Sequence, residues 1–195
     1  MISSQAAFDL IVAEEVSSKE VYSRKYRRPE WPGASSGPTV GIGYDLGQTD
    51  PGTIRADWIA IVSRPMLDVM VGCSGFTSGA GKAKTAQVRN LIDIPWDSAI
   101  AVHKQCVIPR WEARVQAALP NTNLLTGDSF GALLSLVFNR GPSFNNAGDR
   151  YREMRNIKAY MGTKEFHRIP AEFRAMKRLW PNLIGLQRRR DRAVL

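Results

Sequence analysis

The nine residues TVGIGYDLG, positions 39–47, decide how this chain is read. Val40, Ile42, Tyr44 and Leu46 alternate strictly with Thr39, Gly41, Gly43, Asp45 and Gly47, which is the period of a β-strand. One face is apolar. The other offers Thr39 and Asp45 with bare backbone between them, a surface that a ligand can approach closely because glycine has no side chain to obstruct it. In a straight strand those two polar residues would stand roughly 20 Å apart at ~3.3 Å per residue. For both to serve one bond, the chain must turn around Gly41 to Gly43.

Upstream, residues 3–16 (SSQAAFDLIVAEEV) begin with serines able to cap a helix and place Phe8, Ile11 and Val12 at i, i+3, i+4 spacing, an amphipathic helix. On the helical wheel Glu15 falls between Phe8 and Ile11, inside the apolar stripe, whereas Glu14 falls at its edge near Leu10. A carboxylate aimed inward is costly unless it is paired or its pKa is raised. Residues 23–38 mix basic, aromatic and small polar residues with three prolines and read as an irregular connection. Beyond residue 52 the pattern is mainly helical, with candidates at 53–71, 82–91, 96–118, 128–139, 149–161, 170–179 and 183–194. The strongest is 128–139, with Asp128 or Ser129 as cap, an apolar stripe of Phe130, Leu133, Leu134, Val137 and Phe138, and Gly141-Pro142 as stop; it is the expected core helix. The stretch Gly72 to Gly81 is expected to be a loop.

The whole chain of 195 residues, 44% hydrophobic and 23% charged, is long and apolar enough to bury a sizeable core, which excludes a disordered chain. Its two cysteines are too few for a disulfide scaffold, and no apolar run reaches the ~18 residues of a membrane span. Met1 to Glu15 lacks the basic start of an export signal, so synthesis in the cytoplasm without a signal peptide is expected, with no stable membrane insertion. The net charge of +9 sits in the last quarter: residues 150–195 hold thirteen Lys and Arg against four acids, and the rest of the chain balances at fourteen of each. That predicts a positive face suited to a polyanion, whether nucleic acid, an anionic membrane surface or an acidic cell wall.

Phosphate-loop chemistry fails on residues 76–83, because Phe76 replaces the first glycine and Ala83 the magnesium-binding hydroxyl. His103 and Cys106 share a helical face, but only His167 and Cys73 remain to complete a zinc site, so neither a metal nor a cofactor is expected. Neither histidine lies in a recognisable nucleophile signature. Carboxylate chemistry remains. Hydrolysis of a glycosidic bond needs a protonated carboxyl on the leaving oxygen and a second group that handles water. Glu15 in its apolar surroundings suits the acid, Asp45 on its open turn suits the ionised partner, and the Thr39 hydroxyl, both donor and acceptor, suits the attacking water.

Four segments in this order resemble the phage-type lysozymes of glycoside hydrolase family 24. They are Phe8 to Tyr22 with Glu15, Gly37-Pro-Thr39-Val-Gly-Ile-Gly43, the run Ala132 to Gly141 with Phe138-Asn139-Arg140-Gly141, and Gly185-Leu186 followed by Arg189-Arg190. Compact members carry an Asp nine residues after the Glu, where this chain has Arg24; Thr39 and Asp45 instead resemble the pesticin-type muramidase subgroup, which places Thr six residues before Asp in a Tyr-Asp-Leu-Gly segment. The resemblance implies a single α+β lysozyme-like catalytic domain over 1–195, with a first helix at 3–16, a small β-lobe over about 17–60, a helical lobe over about 61–195 and a glycan cleft between the lobes. It implies Glu15 as general acid, Asp45 and Thr39 as the groups that handle water, and Tyr44, Gly41, Gly43, Asn139 and Arg189 as substrate contacts, with Glu20 and Glu30 as reserve carboxylates. The implied activity is cleavage of peptidoglycan between N-acetylmuramic acid and N-acetylglucosamine by a monomer. It would reach the wall through a membrane pore at lysis, on a phage particle or by a secretion system.

Two readings compete with hydrolysis. A lytic transglycosylase on the same fold needs one acid only, and chitin or chitosan is an alternative substrate. In another class, the aromatics Tyr151, Tyr160, Phe166, Phe173 and Trp180 interleaved with basic residues are compatible with a nucleic-acid binder, although amphipathic helices would turn those rings inward and no nucleic acid is expected as partner.

Overall fold

Two left-handed glycines fold the decisive segment back on itself. Gly41 at φ +59° and Gly43 at φ +69° adopt a conformation that L side chains rarely take. They join strand β1 (Thr39–Val40) to β2 (Tyr44–Asp45) in an antiparallel pair with Thr39 opposite Asp45 and Val40 opposite Tyr44. The alternation read from the sequence persists as burial, since Val40, Ile42, Tyr44 and Leu46 are all buried. The pairing itself covers only two residues on each side, because the glycines that open one face also end the strands. Glu30 extends the ladder: its N–H and carbonyl exchange hydrogen bonds with Thr39 at 2.9 and 2.8 Å.

The structure is a computed structural model that describes residues 2–192. By its internal contacts the chain forms two units, Val12–Ile108 and Met1–Ile11 with Pro109–Leu195. The hairpin thus shares a unit with helices up to Ile108, whereas the expected small lobe runs to about residue 60. Among the described residues the protein is mostly helical with one two-stranded antiparallel sheet, compatible with an α+β class.

Helix α1 (Gln5–Val16) is capped by Ser4, whose Oγ accepts the Ala7 N–H at 3.1 Å, and it buries Phe8, Ile11 and Val12. Ser17, at φ +65°, ends it, and Ser18 caps the single turn α2 (Lys19–Val21), which runs into a π turn at Tyr22–Tyr26. After the hairpin, the expected helix 53–71 is broken into α3 (Pro51–Trp58) and α4 (Arg64–Val71), each with proline in its first turn. The expected loop Gly72 to Gly81 is shorter than predicted, because α5 (Ser78–Val88) already contains Gly79 and Gly81. The helical candidate at 96–118 is α6 (Trp96–Val102), a π stretch His103–Val107 and α7 (Ile108–Ala118) in direct succession.

In the other unit the core helix is α8 (Gly127–Arg140). Its cap is neither Asp128 nor Ser129 but Thr126, whose Oγ1 accepts the Ser129 N–H at 3.1 Å, two to three residues earlier than the periodicity alone suggests. Phe130, Leu133, Leu134 and Val137 are buried, while Phe138 is half-buried with its ring 5.1 Å from that of Trp111. Gly131 lets the start of α1 lie against this helix, since a Cβ there would stand 2.1 Å from that of Ala7. Then follow α9 (Arg152–Thr163), α10 (Ile169–Ala175) and α11 (Ile184–Arg192), with residues 193 and 194 of the last expected helix lying outside the described residues. Of the five aromatics expected to turn inward, only Phe173 is buried; Tyr151, Tyr160, Phe166 and Trp180 are half-buried, and Arg168 lies over Tyr160 at 4.2 Å.

Three glycines from separate segments meet around one carbonyl in the hairpin unit. A Cβ on Gly47 would stand 2.2 Å from the Phe76 carbonyl oxygen and 2.7 Å from the Gly37 Cα, and one on Gly81 would stand 3.0 Å from the same carbonyl oxygen. The neighbours are backbone atoms that cannot rotate away. Gly47→Ala is therefore expected to lower stability by about 1–3 kcal/mol. Gly79→Ala, where a Cβ meets nothing within 4 Å, should be neutral or slightly stabilising; urea unfolding of the two variants checks the contrast.

Candidate active site

The last turn of α1 brings Glu15 beside the glycine turn. A Cβ added to Gly43 would stand 3.9 Å from the Glu15 Oε2, so the carboxylate reaches the bare backbone read as a ligand surface. Within this unit Glu15, Thr39, Gly41 and Gly43 line one pocket of about 220 Å³. Its remaining walls are Glu30 and the apolar Val16, Tyr26 and Pro32. Glu15 is half-buried rather than sunk in the core, because α1 ends one residue beyond it.

Thr39 is half-buried, and its hydroxyl donates to the Gly37 carbonyl at 3.2 Å. With its proton committed there, the oxygen presents its lone pairs as acceptors for a water. Asp45 faces Thr39 as its cross-strand partner, so both side chains leave the same face of the hairpin. Its carboxylate, however, accepts the Gly37 N–H at 3.1 and 3.2 Å and the Gln48 N–H at 3.1 Å, and it is not among the residues lining the pocket with Glu15. The Gly37 donor is held in place by the same glycine contact described above.

Other expected site residues are distributed differently. Tyr44 does not face the pocket: it is buried, its hydroxyl donates to Asp57 at 2.7 Å, and its ring meets Trp58 edge-on at 5.5 Å. Gly41 is buried with Trp58 and Ala99 below it, while Gly43 is exposed. In the other unit Arg189 is buried, with Nε donating to the Ser135 Oγ at 3.3 Å. Asn139 is exposed, and its Oδ1 accepts a hydrogen bond from Arg190. Glu20 is exposed on α2, its carboxyl held below the ordinary value by a backbone hydrogen bond and by Ser18.

Of the reserve carboxylates, Glu30 is the one that reaches the pocket. Arg89 donates from Nη1 to the Glu30 Oε1 at 2.7 Å and from the same nitrogen to the Pro29 carbonyl at 2.7 Å. Tyr26 and Pro32, which belong to the irregular segment, were not singled out from sequence; only their aromatic and proline character within a connection next to the hairpin could have marked them. No group of three or more His, Cys, Asp or Glu among the described residues is placed to hold a metal.

His103 lies beneath the turn. It is buried on the π stretch, and burial pushes its pKa down to about 4, opposed only in part by a backbone contact with Ile42. An unfolded chain takes up this proton as pH falls below 6.5, whereas the folded one does not until about 4. The contribution is thus complete above 6.5 and lost between 6.5 and 4, on the order of 3 kcal/mol in all. His103→Leu should flatten the pH dependence of unfolding free energy across that window, measured by urea titration at several pH values.

Scanned against models of known protein families, the chain matches none, and a search of curated proteins finds no match either.

Proposed function

We propose that this protein is a peptidoglycan-cleaving muramidase of lysozyme-like fold, acting on the β-1,4 bond between N-acetylmuramic acid and N-acetylglucosamine. The observation that supports the reading best is the convergence of a carboxyl and a hydroxyl, Glu15 and Thr39, on one pocket floored by Gly41 and Gly43. A pyranose ring needs such open backbone to come within reach of an acid on the adjacent helix end. Glu15 donates its proton to the leaving oxygen. Thr39 accepts a hydrogen bond from the attacking water, and Asp45, across the ladder, takes the proton the water releases. The concentration of positive charge in residues 150–195 suits an anionic wall. No helix among the described residues is long and apolar enough to cross a membrane.

One observation favours a second reading. The Asp45 carboxylate is already engaged by two backbone N–H groups, and a lytic transglycosylase, in which the muramyl 6-hydroxyl attacks the anomeric carbon, requires only the single acid Glu15. Mass spectrometry of purified peptidoglycan digested by wild type and Asp45→Asn separates the two. Hydrolysis predicts reducing muramic-acid ends whose formation falls by about 10²-fold or more in the variant. Transglycosylation predicts 1,6-anhydro ends that survive the substitution. Intact wall after treatment with wild type would overturn both, and digestion of chitin or binding to single-stranded nucleic acid would then be measured.

A further inference from the structure

Glu30 lines the same pocket as Glu15, yet neither hydrolysis nor transglycosylation as set out above gives it a task. It is fixed at both ends. Its backbone N–H and carbonyl are bonded to Thr39, and Thr39 stands opposite Asp45, so Glu30, Thr39 and Asp45 form one row across the ladder with their side chains on one face. At the tip, Oε1 accepts from Arg89 Nη1 at 2.7 Å, and the same nitrogen holds the Pro29 carbonyl at 2.7 Å. Arg89 is the C-cap of α5, so this pair ties a segment without periodicity to the end of a helix. Two neighbouring arginines repeat the tie: Arg27 pairs with Asp93, and Arg28 donates to the Asn90 Oδ1 at 2.7 Å. The second carboxylate oxygen of Glu30, Oε2, accepts no hydrogen bond from the described residues.

The charge of the lining is therefore set by Glu30. No Lys, Arg or His among the described residues lines this pocket, and Glu15 enters either reaction in its protonated, neutral form. As the partner of Arg89, Glu30 is present as the carboxylate, a group that only accepts hydrogen bonds and holds a charged N–H more strongly than a neutral one. The aromatic wall is compatible with positive charge, since Tyr26 already has the ammonium of Lys25 at 4.9 Å from its ring centre. An amino sugar offers such a donor at C2: a neutral N–H where the nitrogen is acetylated, an ammonium where it is not.

We propose that Glu30 is the specificity-determining residue of this pocket, its Oε2 accepting a hydrogen bond from the C2 nitrogen of the bound sugar and favouring the ammonium of an unacetylated glucosamine unit over the acetamide. Arg89 is its positioning residue. The choice of a sugar as ligand rests on the muramidase reading; the preference for an amine rests on the fixed carboxylate. The consequence is activity on glycan strands from which acetyl groups have been removed.

Binding is read apart from cleavage by NMR titration of the full-length protein with glucosamine and with N-acetylglucosamine, which contain no glycosidic bond. At about pH 6 a primary amine is charged. Glucosamine is expected to bind more tightly by about threefold or more, with amide shifts centred on Thr39, Gly41 and Gly43. Glu30→Gln, which keeps the length of the side chain and an oxygen for Arg89, should abolish that preference. On purified wall, the rate on chemically de-N-acetylated material relative to native material should fall in the variant by a similar factor. Equal affinities in wild type, no measurable binding of glucosamine, or a preference unchanged in Glu30→Gln overturns the proposal, and the first two need no variant that folds. If the sugar preference is found and lost in the variant while both walls stay intact, the muramidase reading falls and this assignment stands; cleavage with the same ratio in wild type and variant leaves the reverse.

Discussion

Glu15→Gln is expected to lower the rate of glycan cleavage on purified wall by about 10³-fold, with little change in the midpoint of thermal unfolding. The substitution keeps the shape and length of the side chain but removes the proton that must pass to the leaving oxygen. Both candidate reactions, hydrolysis and transglycosylation, need that proton, so the loss should appear whichever end group the products carry. It should fall on kcat rather than KM, since the amide still occupies the pocket beside Gly43. The measurement is release of soluble muropeptides against time at several wall concentrations, with circular dichroism of the variant to establish the fold. A variant within about threefold of wild type would remove Glu15 from the chemistry and leave Glu30, the other carboxylate of that pocket, as the acid to test. A polyanion binder would not notice the change at all.

The turn at Gly41 to Gly43 was legible because its argument was geometric: Thr39 and Asp45 could not share a task along a straight strand, and the structure places them opposite each other. The stripe of α8 was legible for the usual reason, a long run with helical period. What the sequence could not reveal is non-local. Glu30 lies in a segment without periodicity, and its place in the pocket comes from a two-way backbone pairing with Thr39 nine positions later. Tyr44 carries an alternating apolar pattern equally consistent with a ligand platform or with burial, and the presence of Asp57 as acceptor for its hydroxyl, thirteen residues on, settles it as burial. Arg189 is a substrate contact by resemblance alone, and the partner of its buried guanidinium, Ser135, stands fifty-four positions earlier in the chain. Gly72 to Gly81 looks flexible by composition, yet Gly81 is there for close packing against the backbone at Ser36 and Phe76. Composition reports what a residue permits, and the tertiary contact decides which permission is used.

The largest effect on stability is expected at Glu153, in the basic quarter of the chain and outside the pocket of Glu15. This carboxylate is 1% exposed on α9 and accepts hydrogen bonds from Arg178 Nε at 2.7 Å and Nη2 at 3.1 Å and from Arg152 Nη2 at 3.2 Å. Burial alone would raise its pKa; the Arg178 hydrogen bonds and charge, with a backbone bond and Arg152, outweigh that and hold it below 4.5. Glu153→Ala takes away the acceptor for all of these donors and leaves Arg178 beside Arg140, Arg150 and Arg152 with only the exposed Asp149 to oppose them. Removing one partner of a buried pair costs about 3–5 kcal/mol, a large part of the total stability of a small domain. The pH dependence distinguishes this from a simple cavity. A carboxyl held below its unfolded value contributes fully above that value and loses its contribution as pH falls through the folded one. Wild type should therefore lose stability on the acid side of 4.5, and Glu153→Gln, which retains the volume but not the charge, should lack that acid limb while already being weakened at pH 7. Urea unfolding of wild type, Glu153→Ala and Glu153→Gln between pH 3 and 7 provides the comparison. Equal slopes below pH 4.5 in all three would mean that the ion pair contributes nothing to folding.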